Sequence, residues 1–286
     1  MSLQSFSVLN PHLSEDKTVL TLSLDHGKAN EMGSDQLQAW SNLTSFLSQG
    51  LVRSVITTSQ RKSRSGKSLF ISGANVTERR GWDNEKVKAH VRWQRQVLQS
   101  LRESPVFHIC VVDGIALGWG TEFLLCCDYR ISTENASFGL PETSLGILPG
   151  AGGTSELWME IGLAHALRLG MTGERINGSE ATRIGLTQEL HSSWQEAMNR
   201  ANALADLASR RSPTAIAALK DAMLAARGVS SAVRRELEAT AYEHCVDSGD
   251  AAVGRAHFKE IIKGQTPPWS PFQSFATATK KDDSCC

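Results

Sequence analysis

Two glutamates stand in glycine-rich, otherwise apolar stretches of this 286-residue sequence. Glu122 closes the run DGIALGWGTE (113–122), and Glu142 is the single charged residue within residues 136–153. A carboxyl group in apolar surroundings is desolvated, so its pKa rises toward the range that is useful for proton transfer. Taken alone, Glu142 is also compatible with an exposed loop acid, and Glu122 with an acid that stabilises a helix dipole. Their occurrence together favours a pair of acid–base carboxylates.

The backbone before Glu122 has the features of a ligand-binding turn. The apolar run Val106–Val112 predicts a strand, which leads through three glycines into a short helix that begins near Trp119 and extends over Thr121–Cys127. N–H groups at a helix start have no partner within the helix and carry partial positive charge, and glycines allow an oxygen-bearing ligand to approach them. We therefore expect an oxygen-binding site beside Glu122.

Strands and helices alternate over the first two-thirds of the chain. The apolar periodicity predicts strands at Thr18–Leu24, Ser54–Thr58, Leu69–Ser72 and Tyr129–Thr133, and helices from a Ser34 cap to Gly50 and over Asn84–Arg102. This alternation predicts an α/β core over residues 1–193. Four helices are predicted over 194–265, at Trp194–Arg210, Pro213–Arg227, Ser231–Val246 and Ala251–Lys263. The polar, proline-containing residues 266–286 predict a disordered tail.

Composition and motif spacing exclude several other classes of function. Lys plus Arg number 30, as do Asp plus Glu, so the whole-chain charge gives no case for binding nucleic acid or an acidic membrane. No apolar run is long enough to span a membrane, and no signal peptide is apparent, which predicts a cytoplasmic protein. The six cysteines match no zinc spacing, so we predict reduced, buried thiols and no metal site. The phosphate-loop and dinucleotide fingerprints both fail.

Several ordered motifs give the sequence a specific likeness. It resembles the enoyl-CoA hydratase/isomerase family, the crotonase superfamily, over roughly residues 15–265. The matching stretches are ISGANVTER (71–79), DGIALGWGTE (113–122), Cys127-Asp128, ASFGLPETSLG (136–146), PGAGGT (149–154), LGMTGERI (169–176) and ATRIGL (181–186).

The resemblance implies a fold, a substrate class and roles for particular residues. The fold is a spiral of ββα turns followed by C-terminal helices that support trimers, which often pair into hexamers. The substrate is an acyl-CoA thioester, and no separate cofactor is expected. The resemblance places the two backbone donors of an oxyanion hole at Ala74 and Trp119, and the two glutamates that activate water at Glu122 and Glu142. It maps the CoA- and substrate-binding region to Lys28, Ala29, Lys67, Ser72, Gly73 and Gly118.

Two positions depart from the family pattern. Trp119 stands where close hydratases have glycine, so its indole either narrows the acyl pocket or faces the core. Asn75 replaces the usual aspartate.

The leading interpretation of the sequence is an enoyl-CoA hydratase, or the reverse dehydratase. The alternatives are isomerisation, decarboxylation or thioester hydrolysis on the same fold, and a non-catalytic assembly protein of that fold.

Overall fold

The computed structural model describes residues 2–275, and ten strands lie within them. The strands are Pro11–Leu13 (β1), Val19–Ser23 (β2), Ser54–Thr58 (β3), Leu69–Ile71 (β4), Phe107–Val112 (β5), Ile115–Leu117 (β6), Tyr129–Thr133 (β7), Ser137–Gly139 (β8), Ile176–Asn177 (β9) and Glu189–His191 (β10). The α-helices are Ser34–Leu47 (α1), Asn84–Arg102 (α2), Trp119–Leu124 (α3), Leu157–Ile161 (α4), Leu163–Thr172 (α5), Gly178–Arg183 (α6), Trp194–Ser209 (α7), Pro213–Ala225 (α8), Ser231–Asp247 (α9), Asp250–Ala256 (α10) and Phe258–Ile262 (α11). Leu3–Leu9 and Pro141–Leu145 form 3₁₀ turns.

From β3 to β8, consecutive strands alternate between two sheets. A six-stranded sheet has the order β1-β2-β3-β5-β7-β10, and a four-stranded sheet has the order β4-β6-β8-β9. Each pair of strands, such as β3 and β4 or β5 and β6, is followed by a helix, and the next pair stacks parallel to the previous one in both sheets. The chain is therefore an α/β spiral of ββα turns, as expected.

Two apolar cores hold the spiral together. The larger lies between the sheets and the helices, with Trp40, Phe70 and Phe123 among its largest buried side chains. The smaller lies on the other face of the six-stranded sheet, where Ile109 and Ile131 pack under α7. Because β5 is covered on both faces, its sequence is a continuous apolar run rather than an alternating one.

Most element boundaries agree with the sequence predictions, and the differences have local causes. The stretch after β5, predicted as a turn, contains the short strand β6, because its apolar residues pair in parallel with β4 and β8. The cap of α1 is Gly33 rather than Ser34, whose hydroxyl instead donates to Glu78. The last predicted helix is divided at His257 into α10 and α11.

Part of the predicted tail lies against the C-terminal helices. Trp269 Nε1 donates to the carbonyl of Arg210 at 2.9 Å, and the N–H of Gln273 donates to Thr214 Oγ1 at 3.1 Å. Residues 266–275 therefore have a defined place in the fold, and residues 276–286 lie outside the described residues. No helix in residues 2–275 is long and apolar enough to cross a membrane.

Candidate active site

The start of helix α3 is fixed by hydrogen bonds to two strands, β6 and β8. The N–H of Gly118 donates to the carbonyl of Gly139 at 2.8 Å, and Thr121 Oγ1 donates to the carbonyl of Ala116 at 2.8 Å. A Cβ at Gly120 would lie 2.1 Å from the carbonyl oxygen of Ile71, so only glycine permits this approach of helix to strand. The first turn of α3, which carries Glu122, is thus placed by close backbone contacts.

Glu122 is held in one orientation by the loop that follows the second glutamate. Its Oε1 accepts the N–H of Ala151 at 2.7 Å and the N–H of Gly153 at 3.0 Å. The side chain is buried, and this burial, together with the charge of Glu142, raises the pKa of Glu122 to about 7, although the two N–H donors lower it. A carboxyl group with this pKa can accept or release a proton near neutral pH.

Glu142 approaches the start of α3 from a 3₁₀ turn, Pro141–Leu145. A Cβ at Gly118 would lie 2.6 Å from Glu142 Oε1, so the carboxylate rests against the glycine that precedes α3. Gly118 has φ 53° and ψ −121°, a conformation that side-chain-bearing residues rarely adopt. Burial raises the pKa of Glu142 above its ordinary value, and Oε2 has no hydrogen-bond partner within the described chain.

Two backbone N–H groups, one in the turn after β4 and one at the start of α3, make no hydrogen bond with residues 2–275. Met32 forms a parallel bridge to Ala74: its N–H donates to the carbonyl of Gly73, and its carbonyl accepts from the N–H of Asn75. The N–H of Ala74 lies between these two bonds in the chain and therefore points away from Met32. Trp119 is the first residue of α3, and its N–H has no intrahelical acceptor. Both donors are available to an oxygen atom of a ligand.

The indole of Trp119 lies in the larger core. Its side chain is only 2% exposed, and its ring packs 5.6 Å from the ring of Phe123. Of the two orientations considered from the sequence, the structure has the one in which the indole faces inward.

The structure brings Lys28 and Ala29 to the same place as Ser72 and Gly73. The N–H of Ser72 donates to the carbonyl of Ala29 at 3.1 Å, which sets the turn that contains Lys28 beside the end of β4. Arg61 holds this turn from the other side, through the carbonyl of Lys28 at 3.3 Å and an ion pair with Asp25.

Lys67 lies apart from this group. It precedes β4, whereas Ser72–Ala74 follows it, so β4 separates them. Together with Lys62 and Arg175, Lys67 lines a polar depression of about 490 Å³ at the amino ends of β4, β6 and β8.

Asn75 has a structural role that is compatible with the departure from aspartate. Its Oδ1 accepts the N–H groups of Thr77 and Glu78 at 3.2 and 3.3 Å, which caps the turn after β4. An amide oxygen fills this role as a carboxylate oxygen would.

The residues that sequence reasoning missed are mainly backbone donors. The N–H groups of Ala151 and Gly153 hold Glu122, and Arg61 positions the Lys28 turn. The glycine-rich run PGAGGT was the available signal for the first two, because closely spaced glycines expose backbone N–H groups. Nothing in the sequence connected Arg61 to Lys28.

Comparisons with known proteins agree with this fold. The model of the enoyl-CoA hydratase/isomerase family matches residues 40–270. The chain is 31% identical over 255 residues to a probable enoyl-CoA hydratase of Bacillus subtilis, covering 88% of this chain and 96% of the relative. It is 36% identical over 197 residues to the mouse mitochondrial enoyl-CoA hydratase domain-containing protein 2, covering 68% of this chain and 67% of the relative.

A solved structure of an enoyl-CoA hydratase has the same fold. The enoyl-CoA hydratase from Bacillus anthracis superimposes with a TM-score of 0.81 at 32% identity, over 91% of this chain and 98% of that one. The chain therefore belongs to the enoyl-CoA hydratase/isomerase family, and its fold is that of the crotonase superfamily.

Proposed function

We propose that the protein is an enoyl-CoA hydratase, which adds water across the 2,3 double bond of an acyl-CoA thioester or catalyses the reverse dehydration. The observation that carries the proposal is the pair Glu122 and Glu142, two carboxyl groups with raised pKa values beside the unpaired N–H groups of Ala74 and Trp119. The presence of both glutamates weighs against isomerisation, decarboxylation and thioester hydrolysis on the same fold. No cofactor is needed beyond the CoA of the substrate.

The proposed mechanism begins with the thioester oxygen, which accepts hydrogen bonds from the N–H groups of Ala74 and Trp119. A water molecule lies between Glu122 and Glu142, and the carboxylate pair takes its proton as the oxygen attacks C3. The electron pair of the double bond moves toward the thioester, and the two N–H groups stabilise the enolate oxygen that forms. The pair then delivers a proton to C2. Because the two carboxyl groups interact, their protons belong to the pair.

CoA recognition is proposed for the turn that contains Lys28 and Ala29, beside Ser72 and Gly73. The ammonium group of Lys28 is exposed and can pair with a CoA phosphate. Lys67 is the second proposed phosphate contact, at the other end of β4.

The test is a panel of enoyl-CoA thioesters of differing chain length, followed by loss of enoyl absorbance and identification of the product. The wild-type chain is expected to form a 3-hydroxyacyl-CoA. Ala74→Pro, which removes one donor, should lower turnover by about 10²–10³-fold, and Ala74→Gly should retain much of it. Glu15→Gln, at an exposed glutamate remote from the site, is the control. A folded wild-type chain that hydrates no member of the panel, or one whose products are shifted alkenes or free acids, contradicts the proposal.

We also propose that the chain assembles as a trimer or as a hexamer. Leu219, Met223 and Tyr242 on α8 and α9 are 57%, 64% and 71% exposed, whereas Leu237, another apolar residue of α9, is buried within the chain. A neighbouring subunit that covers these side chains gains their burial. Light scattering is expected to give three or six times the 31.1 kDa mass of the chain, and Met223→Glu should shift the mass toward the monomer. A stable, active wild-type monomer would contradict the proposal.

A cytoplasmic location stays a prediction, and the matching mouse relative is mitochondrial by name.

A further inference from the structure

Four side chains with metal-binding chemistry meet between β5 and the residues that follow the end of α3. His108 and Cys110 lie two residues apart on β5 and therefore project from the same face of the strand. Cys126 and Cys127 follow the end of α3 and face them. Sequence spacing gave no zinc motif here, because the two pairs are separated by fifteen residues and meet only in the fold.

The geometry of this His–Cys cluster (His108, Cys110, Cys126 and Cys127) is close to that of a four-coordinate site. One ligand atom each of His108, Cys126 and Cys127 lies within 4.8 Å of the others, and His108 Nε2 lies 3.8 Å from Cys127 Sγ. Ligand atoms around a tetrahedral zinc ion are about 3.5–4 Å apart, given Zn–S and Zn–N bonds of about 2.3 and 2.0 Å. Cys110 lies outside this group of three, but its thiol contacts that of Cys127, so it is the fourth ligand that the fold offers.

Packing alone does not account for His108. The side chain is fully buried, its Nε2 lies 2.9 Å from Thr57 Oγ1, and its Nδ1 has no partner within residues 2–275. The ring nitrogen that faces Cys127 is Nε2, so Nε2 is the proposed ligand atom, and metal binding exchanges its contact with Thr57 Oγ1 for a bond to the metal.

The His–Cys cluster lies beside a groove that opens to the surface and beside two cationic side chains. Cys126 and Cys127 line a groove of about 440 Å³ beneath α8, which gives an ion an entry path from the surface. Lys220, from α8, and Arg102 also line this groove, and both act electrostatically on the Cys126 thiol. Three thiolates, a neutral imidazole and a divalent ion carry one net negative charge. Lys220 and Arg102 lie beside it, and each is also paired with a carboxylate, Asp128 and Glu156 respectively.

We propose that His108, Cys110, Cys126 and Cys127 form a binding site for a soft divalent cation of the zinc class. On binding, three S–H bonds break, three sulfur–metal bonds form, and the protons leave to solvent, with no change in oxidation state. The weak thiol hydrogen bonds of Cys126 and Cys127 to the carbonyl of Phe123, at 3.0 and 3.6 Å, are lost in exchange. The site has a structural ligand set with no open position, so it is independent of the hydration reaction.

Cobalt(II) is the probe for the test, because thiolate coordination gives it a near-ultraviolet charge-transfer band and tetrahedral coordination gives it strong visible bands. The full chain carries Cys285→Ser and Cys286→Ser, since these two cysteines lie outside the described residues and can bind metal themselves. We expect one Co²⁺ per chain with both spectral features, displacement by Zn²⁺, and a higher thermal unfolding midpoint with Zn²⁺.

The variants assign the ligands. Cys126→Ser and His108→Asn should weaken Co²⁺ binding by more than about 100-fold, the upper range for loss of a group that only supports a ligand. Cys245→Ser, at a half-buried cysteine on α9, is the matched control. It should bind Co²⁺ as tightly as the background chain, which carries only Cys285→Ser and Cys286→Ser. Failure of the folded background chain to give the charge-transfer band overturns the proposal, whether or not the variants fold. A band of equal strength in folded His108→Asn and Cys126→Ser also overturns it.

Discussion

Glu122 and Glu142 come to neighbouring positions from two very different pieces of backbone. Glu122 belongs to a helix whose first turn is fully buried, and two N–H groups hold one of its oxygens. Glu142 belongs to a short 3₁₀ turn in which no residue is fully buried, and one of its oxygens has no partner within the described chain. Burial raises both pKa values, yet only Glu122 has its carboxylate position set by backbone donors. The comparison indicates a fixed carboxyl group and a more adjustable one.

The largest expected effect comes from neutralising either carboxylate. Glu122→Gln and Glu142→Gln should each lower turnover on the best enoyl-CoA by about 10²–10⁴-fold, because a carboxamide cannot exchange the proton. A glutamine at 122 can still accept the N–H groups of Ala151 and Gly153, so the fold should survive. Steady-state kinetics with circular dichroism as the folding control test this. Near wild-type rates in either folded variant would show that the two glutamates do not act as the proposed acid–base pair.

A second variant disturbs the position of Glu142 together with the start of α3. Gly118→Ala puts a methyl group where Glu142 Oε1 lies and forces alanine into a strained conformation. The cost of the strain is about 1–3 kcal/mol, and we expect kcat to fall by about 100-fold, because Glu142 and the N–H of Trp119 both move. Gly170→Ala is the matched control, since its added Cβ meets no atom within 4 Å in the last turn of α5 and its carbonyl can still accept from Thr143 Oγ1. Equal kinetics for the two variants would show that Glu142 needs no close approach to Gly118.

The pH dependence of stability reports on Glu122 directly. Its folded pKa of about 7 lies above the ordinary value of 4.5, so the folded state binds the proton more tightly than the unfolded chain does. This contribution is fully present below pH 4.5 and is lost as the pH rises through 7, by about 3 kcal/mol in total. Relative to Glu122→Gln, the wild-type chain should therefore lose stability between pH 4.5 and 7.5. Denaturant unfolding at several pH values measures the difference, and parallel curves would refute the raised pKa.

The smallest expected effect concerns substrate choice. Because the indole of Trp119 faces the core, Trp119→Phe should change the ratio of kcat/KM between short and long enoyl thioesters by less than about 3-fold, well under the 1–3 kcal/mol of a pocket misfit. The unfolding midpoint should fall, since a smaller ring leaves space beside Phe123. A changed ratio without loss of stability would place the indole in the acyl pocket.

The regular elements were predictable where local pattern is strong. The bounds of β3, β7 and α2 are those that periodicity and caps predict. Strands of two or three residues, such as β6 and β9, carry too little periodicity to be distinguished from a turn, and they exist because a neighbouring strand pairs with them.

The sequence by itself determined which groups can do chemistry: Glu122 and Glu142 are acids in apolar, glycine-rich surroundings, and that is visible without coordinates. The tertiary structure alone decided how they are held. The N–H donors to Glu122 come from 29 and 31 residues away, the indole of Trp119 turned inward against Phe123, and His108 met the cysteines that follow α3. The physical reason is that burial and hydrogen bonding depend on segments distant in the chain, whereas residue type and spacing describe only what lies nearby.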